Sequence, residues 1–357
     1  MKTPAGLVRD EIRSLKAYHV PPAVGMVKLD AMENPYTLPP ELAREMGERL
    51  AAVAVNRYPD PTASRLHARV REAMRIPDSL DVVLGNGSDE LLQIISLALA
   101  KPGAAVVSLD PSFVMYRMSA IAAGMRFVGV PLRGDFSLDE DALQRAIREH
   151  EPALTWIAYP NNPTGNLFAR EAILRAVDAA PGLVVVDEAY YPFSNGATLL
   201  DQVGRHPNLL LVRTVSKLGL AGLRLGVGIG PRDWMQELEK LRMPYNVNVL
   251  TAAAADLVLE HRDVLEAQTQ RIVAERGRLE AALDRLPLER FPSAANFILV
   301  RVPDAPAAFG GLKQRGILIK TLHGSHPLLA NCLRLTVGTA DENAKLIEAL
   351  TSVLPNA

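Results

Sequence analysis

Cysteine is almost absent: Cys332 is the one cysteine in 357 residues, so no intrachain disulfide framework can form and the chain suits a reducing compartment. No stretch approaches the roughly eighteen apolar residues of a membrane span, and residues 1–20 lack the unbroken apolar centre of a secretory leader. Charge excess is missing too. Lys+Arg number 39 against 40 Asp+Glu, a net charge of −1, with no basic cluster; this argues against nucleic acid or another polyanion as partner. Repeats and low-complexity segments are not found. The expectation is a cytoplasmic protein with no membrane contact. What remains is an ordinary globular composition, 48% apolar and 22% charged, in a chain long enough for one large domain and a smaller one.

In chain order, the first forty residues are proline-rich (Pro21, Pro22, Pro35, Pro39, Pro40) and read as an extended arm after a short helix, Leu7 to Leu15. Helices are expected over Pro40 to Ala54 and Thr62 to Met74, with the turn Asn56-Arg57-Tyr58-Pro59-Asp60-Pro61 between them. From about residue 80 short apolar strands alternate with helices: Asp81–Leu84, Ala104–Leu109, Arg126–Val130, Leu154–Tyr159, Leu183–Val186, Leu209–Arg213 and Leu225–Ile229 are the strands. Such alternation predicts an α/β fold, a mostly parallel sheet sandwiched by helices. After Pro244 the spacing changes to a long helical stretch, Leu250 to Leu286, then strands at Asn296–Val300, Gly316–Lys320 and Leu333–Val337, and a closing helix from Asp341 to Leu354. The division expected is an arm, residues 1–40, joining a small α+β domain, residues 246–357, with a large domain at 41–245 between them.

Ligands of open α/β sheets sit beyond the carboxyl ends of the strands, and polar or aromatic residues recur there: Ser88 and Asp89, Phe113, Asn162, Asp187 and Tyr190, Ser216 and Lys217. Gly85-Asn86-Gly87-Ser88 opens a helix, where free N–H groups suit a phosphate; N-capping by Ser88 is the plainer alternative. It lacks the further glycine of a dinucleotide fingerprint. Asp187 closes an apolar run, so its carboxylate needs a cationic partner or several donors: a structural arginine, a set of backbone amides, or a protonated pyridine nitrogen. Asn161-Asn162-Pro163-Thr164-Gly165 is a turn by composition, and a carboxamide fixed there suits a ring hydroxyl. Lys217 stands among small and apolar neighbours in Thr214-Val215-Ser216-Lys217-Leu218-Gly219, beside the Ser216 hydroxyl and seven residues before Arg224. A lysine so placed either snorkels from a strand end or, poorly hydrated, becomes a nucleophile toward a carbonyl. A nucleophilic lysine, an acid for a pyridinium, a stacking ring and phosphate donors together describe pyridoxal 5′-phosphate. His323 and His326 mimic a metal pair, but without a neighbouring carboxylate they read as loop residues, and no metal is expected.

These residues resemble the fold-type-I, class I/II pyridoxal-phosphate aminotransferases, over nearly the full length from Lys28-Leu29-Asp30-Ala31-Met32-Glu33-Asn34-Pro35 to Leu333-Arg334-Leu335-Thr336-Val337-Gly338-Thr339. Asn-Asn-Pro-Thr-Gly, Asp-Glu-Ala-Tyr and Thr-x-Ser-Lys carry the resemblance, while Gly-Leu-Ala-Gly-Leu-Arg-Leu-Gly and Cys-Leu-Arg-Leu-Thr-Val-Gly-Thr are similar to the histidinol-phosphate branch. The resemblance implies Lys217 as cofactor-bearing and proton-moving residue, Asp187 on the pyridine nitrogen, Asn162 and Tyr190 on the ring oxygen, and Phe113 stacked on the ring, where many members have tyrosine. It implies Ser88, Asp89, Ser216 and Arg224 at the phosphate, joined by Tyr58 from the other subunit of a homodimer with shared active sites. Arg334 is implied at the substrate's anionic end, with Tyr18 and Lys320 in the substrate pocket. The implied reaction passes an amino group from histidinol phosphate to 2-oxoglutarate; the alternatives are an aromatic aminotransferase and a threonine-phosphate decarboxylase-like enzyme on the same scaffold. Two departures are notable: Lys217 and Arg224 are seven apart where in many members the corresponding residues are eight apart, and many have asparagine at the position of Met32.

Overall fold

The computed structural model describes residues 2–17 and 21–355. Among them twelve strands form two sheets: β1 (Val27–Leu29), β2 (Asp81–Asn86), β3 (Ala105–Asp110), β4 (Arg126–Pro131), β5 (Leu154–Ala158), β6 (Leu183–Asp187), β7 (Leu209–Thr214), β8 (Leu225–Gly230), β9 (Glu289–Arg290), β10 (Phe297–Arg301), β11 (Ile317–Thr321) and β12 (Cys332–Thr336). The large sheet runs β2-β8-β7-β6-β5-β3-β4. β8 pairs antiparallel with β2 and β7, and every other pairing is parallel. The sandwiched, mostly parallel sheet expected from the alternation is therefore present.

Strand alternation distributes side chains to two cores. Leu84, Ile157, Val184, Val186, Leu209 and Leu211 face one, packed by helices Ser64–Ala73, Glu140–His150, Arg170–Ala179 and Val249–Glu260. Val83, Trp156, Val185, Leu210 and Val212 face the other, under helices Ser88–Leu99, Val114–Ala122 and Arg232–Glu239. On β8 the residues on that second face are glycines. A Cβ on Gly226 would lie 2.4 Å from the Gly87 carbonyl carbon, and one on Gly228 would lie 3.0 Å from Val83. The glycines let the turn before helix Ser88–Leu99 sit directly on the sheet.

The small sheet runs β1-β11-β12-β10-β9. The arm does contribute a strand: β1 pairs parallel with β11, Val27 opposite Ile317. Helices Arg262–Leu283, Ala305–Gln314 and Ala340–Val353 complete its core through Ile272, Leu279, Leu312, Leu346 and Leu350.

Several boundaries differ from expectation. The Leu7-to-Leu15 helix is two short turns, Pro4–Leu7 and Asp10–Arg13, because Val8 and Arg9 are extended. The Leu250-to-Leu286 stretch is two helices, broken where His261 leaves the helical region (ψ 43°). The first of them packs with the large sheet's helices, and its buried Asp256 receives Arg49, Arg65 and Arg69.

Candidate active site

The carboxyl ends of β2, β3, β5, β6 and β7 meet at one edge of the large sheet. Because β8 runs the other way, its amino end, with Arg224 just before it, lies at that same edge. Nine of the expected residues line one cavity there: Ser88, Asp89, Phe113, Asn162, Asp187, Tyr190, Ser216, Lys217 and Arg224. Met32, Tyr116 and Thr214 line it as well.

Asp187 ends β6 and is 5% exposed. Its Oδ1 accepts the Ala189 N–H at 3.0 Å and its Oδ2 accepts the Tyr116 hydroxyl at 2.8 Å. Burial pushes its carboxyl up to about 6, against the pull of those two donors. Among the described residues no side-chain cation partners it; of the partners foreseen, a backbone amide is met at Ala189, while the neighbouring arginine, Arg213, is spent on Glu188 at 2.7 Å. Tyr116 was not singled out from sequence. It lies inside helix Val114–Ala122, fully covered, its ring stacked on Trp156 at 5.2 Å and edge-on to Phe113 at 5.6 Å.

Lys217 follows β7 in a short 3-10 turn, Ser216–Leu218. Its Nζ is 3.4 Å from the Ala31 carbonyl and 5.7 Å from the centre of the Tyr190 ring. Burial first, then the Arg334 charge, lower its ammonium to about 8, leaving a usable fraction neutral near physiological pH. The short spacing to Arg224 is met by a second 3-10 turn, Ala221–Leu223, with Gly219 (φ 115°) and Arg224 (φ 50°) both left-handed. Arg224 thereby reaches back, its Nη1 3.3 Å from Ser216 Oγ and its Nη2 3.4 Å from Asp89 Oδ2.

Helix Ser88–Leu99 begins without a side-chain cap, so the N-capping alternative for Ser88 is not what the turn does. Gly87 (φ +79°) precedes it, and a Cβ there would lie 2.5 Å from Arg224 Nη2. The Ser88 helix start, the Ser216 hydroxyl and the Arg224 guanidinium thus line one cavity together, a set of donors that suits an anion. Thr214 braces this corner: its hydroxyl accepts the Ser216 N–H and donates to the Leu225 carbonyl, each at 3.1 Å.

Asn162 Nδ2 donates to the Tyr190 hydroxyl at 3.3 Å, and its Oδ1 accepts Arg334 Nη1 at 2.6 Å. The Tyr190 hydroxyl in turn faces Met32 Sδ at 3.2 Å, which puts Met32 at the cavity although no role was expected of it. Arg334, on β12, also donates to the Asp30 carbonyl at 2.9 Å. Lys320 is its cross-strand partner on β11; burial and the Arg334 charge hold the Lys320 ammonium below its usual range. Two expected residues are not brought together here. Tyr18 lies outside the described residues. Tyr58 is 81% exposed, with its ring stacked on Tyr245 at 4.6 Å. His323 and His326 each accept a backbone N–H, from Asn331 and Leu328.

A buried lysine with a lowered ammonium, a buried carboxylate held by a hydroxyl and a backbone amide, an aromatic ring at the cavity wall and an uncapped helix start beside a guanidinium fit pyridoxal 5′-phosphate and define the site of an enzyme that works on amino groups. The family model for aminotransferase class I and II matches residues 24–350, and the chain belongs to that family. It is 55% identical to the histidinol-phosphate aminotransferase of Chromobacterium violaceum, across 96% of this chain and 97% of that one. It is 54% identical to histidinol-phosphate aminotransferase 1 of Ralstonia nicotianae, over 98% and 94%. Among solved structures it resembles the histidinol-phosphate aminotransferase of Sinorhizobium meliloti in complex with pyridoxal-5′-phosphate, with TM-score 0.86 and 26% identity over 96% of each chain. Pyridoxal 5′-phosphate is the cofactor, and the protein is an aminotransferase.

Proposed function

We propose that the enzyme transfers the amino group of L-histidinol phosphate to 2-oxoglutarate, giving imidazole-acetol phosphate and glutamate, a step of histidine biosynthesis. The observation that carries this reading is Arg334, which reaches the cavity-lining Asn162 and has Lys320 opposite it on β11. Two adjacent cations there suit a substrate that ends in phosphate in one half of the cycle and in carboxylate in the other. The uncharged ring of an aromatic amino acid does not call for that pair; threonine phosphate would use it equally, and there it is the near relatives, histidinol-phosphate aminotransferases, that favour the present reading.

Bound at this site, pyridoxal phosphate supplies the aldehyde that exchanges for an amine and the ring that accepts an electron pair from the substrate α-carbon. Lys217 would hold the cofactor and, once displaced, its Nζ would take the substrate's α-proton and carry it through a 1,3-shift; being already in place, it needs no recruitment. Asp187, ionised, keeps a proton on the ring nitrogen. Phe113 covers the ring, Asn162 and Tyr190 hold its oxygen, and Ser88, Asp89, Ser216 and Arg224 hold the phosphate. Tyr58 completes the phosphate site of a second copy. Its exposure, with that of Val55 close by in sequence and of Leu241, Met243 and Leu250 around its stacking partner Tyr245, suits a covered homodimer face. We place Tyr18 in the substrate pocket, divide the chain at residues 1–40, 41–245 and 246–357, and assign the enzyme to the cytoplasm, as befits a biosynthetic role.

The test is a panel of amine donors with 2-oxoglutarate. Histidinol phosphate should exceed phenylalanine in kcat/KM, and threonine phosphate should release no carbon dioxide. Glutamate alone should bleach the visible band of the loaded enzyme. Phenylalanine turned over as well as histidinol phosphate would replace the substrate assignment.

A further inference from the structure

Tyr245 adopts φ +60°. For a bulky residue that backbone is rare, and it persists only where the surroundings impose it. The surroundings here are explicit. Its neighbour Asn246 donates from Nδ2 to the Leu84 carbonyl at 3.1 Å and to Glu90 Oε2 at 2.7 Å, and accepts Arg242 Nη1 at 2.8 Å on Oδ1. The Asn246 carbonyl accepts Asn86 Nδ2 at 2.9 Å. Arg242 then reaches across to the Pro61 carbonyl at 3.0 Å, three residues beyond Tyr58. Two loops distant in sequence are thus bolted together, and the bolt presses two tyrosine rings into a stack 4.6 Å apart and 18° from parallel. Tyr58 has no hydrogen bond to any described residue and is 81% exposed, whereas Tyr245 is 39% exposed.

We propose that Tyr245 is a positioning residue for the neighbouring active site: it holds Tyr58 in the orientation in which that ring completes the second copy's cofactor-phosphate cradle. The proposal rests on the reading above that Tyr58 acts in the second copy. Its added content is a direction. Tyr245 serves the site across the dimer, although its own loop is anchored to Asn86 and Glu90 beside the phosphate cradle of its own chain. A free tyrosine side chain in a Pro-flanked turn would sample several rotamers, and a stacked one loses that freedom before the cofactor arrives.

Cofactor affinity in mixed dimers tests this, read by the absorbance of the lysine-linked cofactor and by equilibrium dissociation from purified dimers. In the homodimer, Tyr245→Ala should weaken cofactor binding roughly three- to tenfold, and Tyr245→Phe should restore it. In a dimer of one Tyr245→Ala chain and one Lys217→Ala chain, only the first retains Lys217. Its site receives Tyr58 stacked on an intact Tyr245, so affinity there should equal that of the unaltered enzyme. The companion dimer, Tyr58→Ala with Lys217→Ala, reports on Tyr58 alone and should behave the same way. A weak companion dimer shows that Tyr58 acts in its own chain and overturns both readings. A normal companion with a weak Tyr245→Ala dimer leaves the Tyr58 reading standing and overturns the proposal. So does a rise in the amino donor's KM with cofactor affinity unchanged. Should Tyr245→Ala fail to fold, Tyr245→Asn carries the same comparison, since asparagine tolerates the left-handed backbone.

Discussion

At the scale of single residues the site depends on two displaced protonation equilibria of opposite kind. Asp187 titrates at about 6 in the folded chain against an ordinary 3.8. Between those values the folded protein holds a proton that the unfolded chain has released. The contribution to stability is therefore complete below pH 3.8 and vanishes as the pH rises through 6, about 3 kcal/mol in all. Lys217 is lowered to about 8 from 10.5, so there the unfolded chain holds the extra proton and stability increases with pH between those values. Urea unfolding of cofactor-free protein should show the first slope, and Asp187→Asn should remove it; an unaltered slope would refute the assignment. Tyr116 adjusts the same equilibrium, because its hydroxyl stabilises the ionised carboxylate. Tyr116→Phe should move the acid limb of the pH–rate profile upward and recover activity at alkaline pH; a uniform loss at all pH values would reduce Tyr116 to packing. This residue was not legible in the sequence. Asp187, Asn162 and Lys217 stand at strand ends within recognisable motifs, but Tyr116 is one apolar-face position of an ordinary helix, and only the stacking on Trp156 aims its hydroxyl.

Among the elements, legibility followed burial. Fully buried strands such as Leu183–Asp187 and Leu209–Thr214 appear as unbroken apolar runs and were readable to within a residue. Helix Ala305–Gln314 was not, because its Ala, Gly310 and Gly311 give a weak pattern, and Pro306 suggests a loop until Asp304 caps the turn by accepting the Ala307 N–H. β1 is three residues long and exists only through its pairing with β11, which no local signal announces. The direction of β8 was also hidden: its alternation of apolar residues with glycine carries no sign of strand direction, and it runs antiparallel to both its neighbours. The glycines on β8 yield an element-scale prediction. In Gly226→Ala the new methyl would lie 2.4 Å from Gly87 backbone and 2.5 Å from the Ser88 nitrogen, so the strand and the helix start must separate. Cofactor affinity should fall more than tenfold by absorbance titration, with a loss of roughly 1–3 kcal/mol in stability. Unchanged affinity would show that the cradle tolerates the shift.

For the whole molecule, the proposed homodimer predicts linkage between assembly and cofactor retention. On the proposal that each site draws on Tyr58 of the other copy, dilution below the dimer dissociation constant should release cofactor, and added cofactor should hold the dimer together. Analytical ultracentrifugation with absorbance detection reads both at once; a monomer that keeps its cofactor on dilution would contradict the shared site. The two sheets are also joined within one copy by Arg334, which reaches from β12 to Asn162 beside Lys217 and to the Asp30 carbonyl beyond β1. An anion bound at Arg334, as proposed for the substrate's end, would therefore meet a side chain tied to both sheets.

That first strand has a consequence for biosynthesis of the polypeptide itself. Val27 pairs with Ile317, so β1 emerges from the ribosome 290 residues before its partner, a wait of roughly 15–60 s at ordinary elongation rates. The large sheet, whose strands all lie within residues 81–230, is complete long before. The nascent chain then carries a folded α/β body with a loose leading segment and three of the pocket's later contacts, at Ala31, Met32 and Arg334, still unmade. Cofactor offered to ribosome-bound chains stalled before β12 should consequently be held less tightly than by the released enzyme.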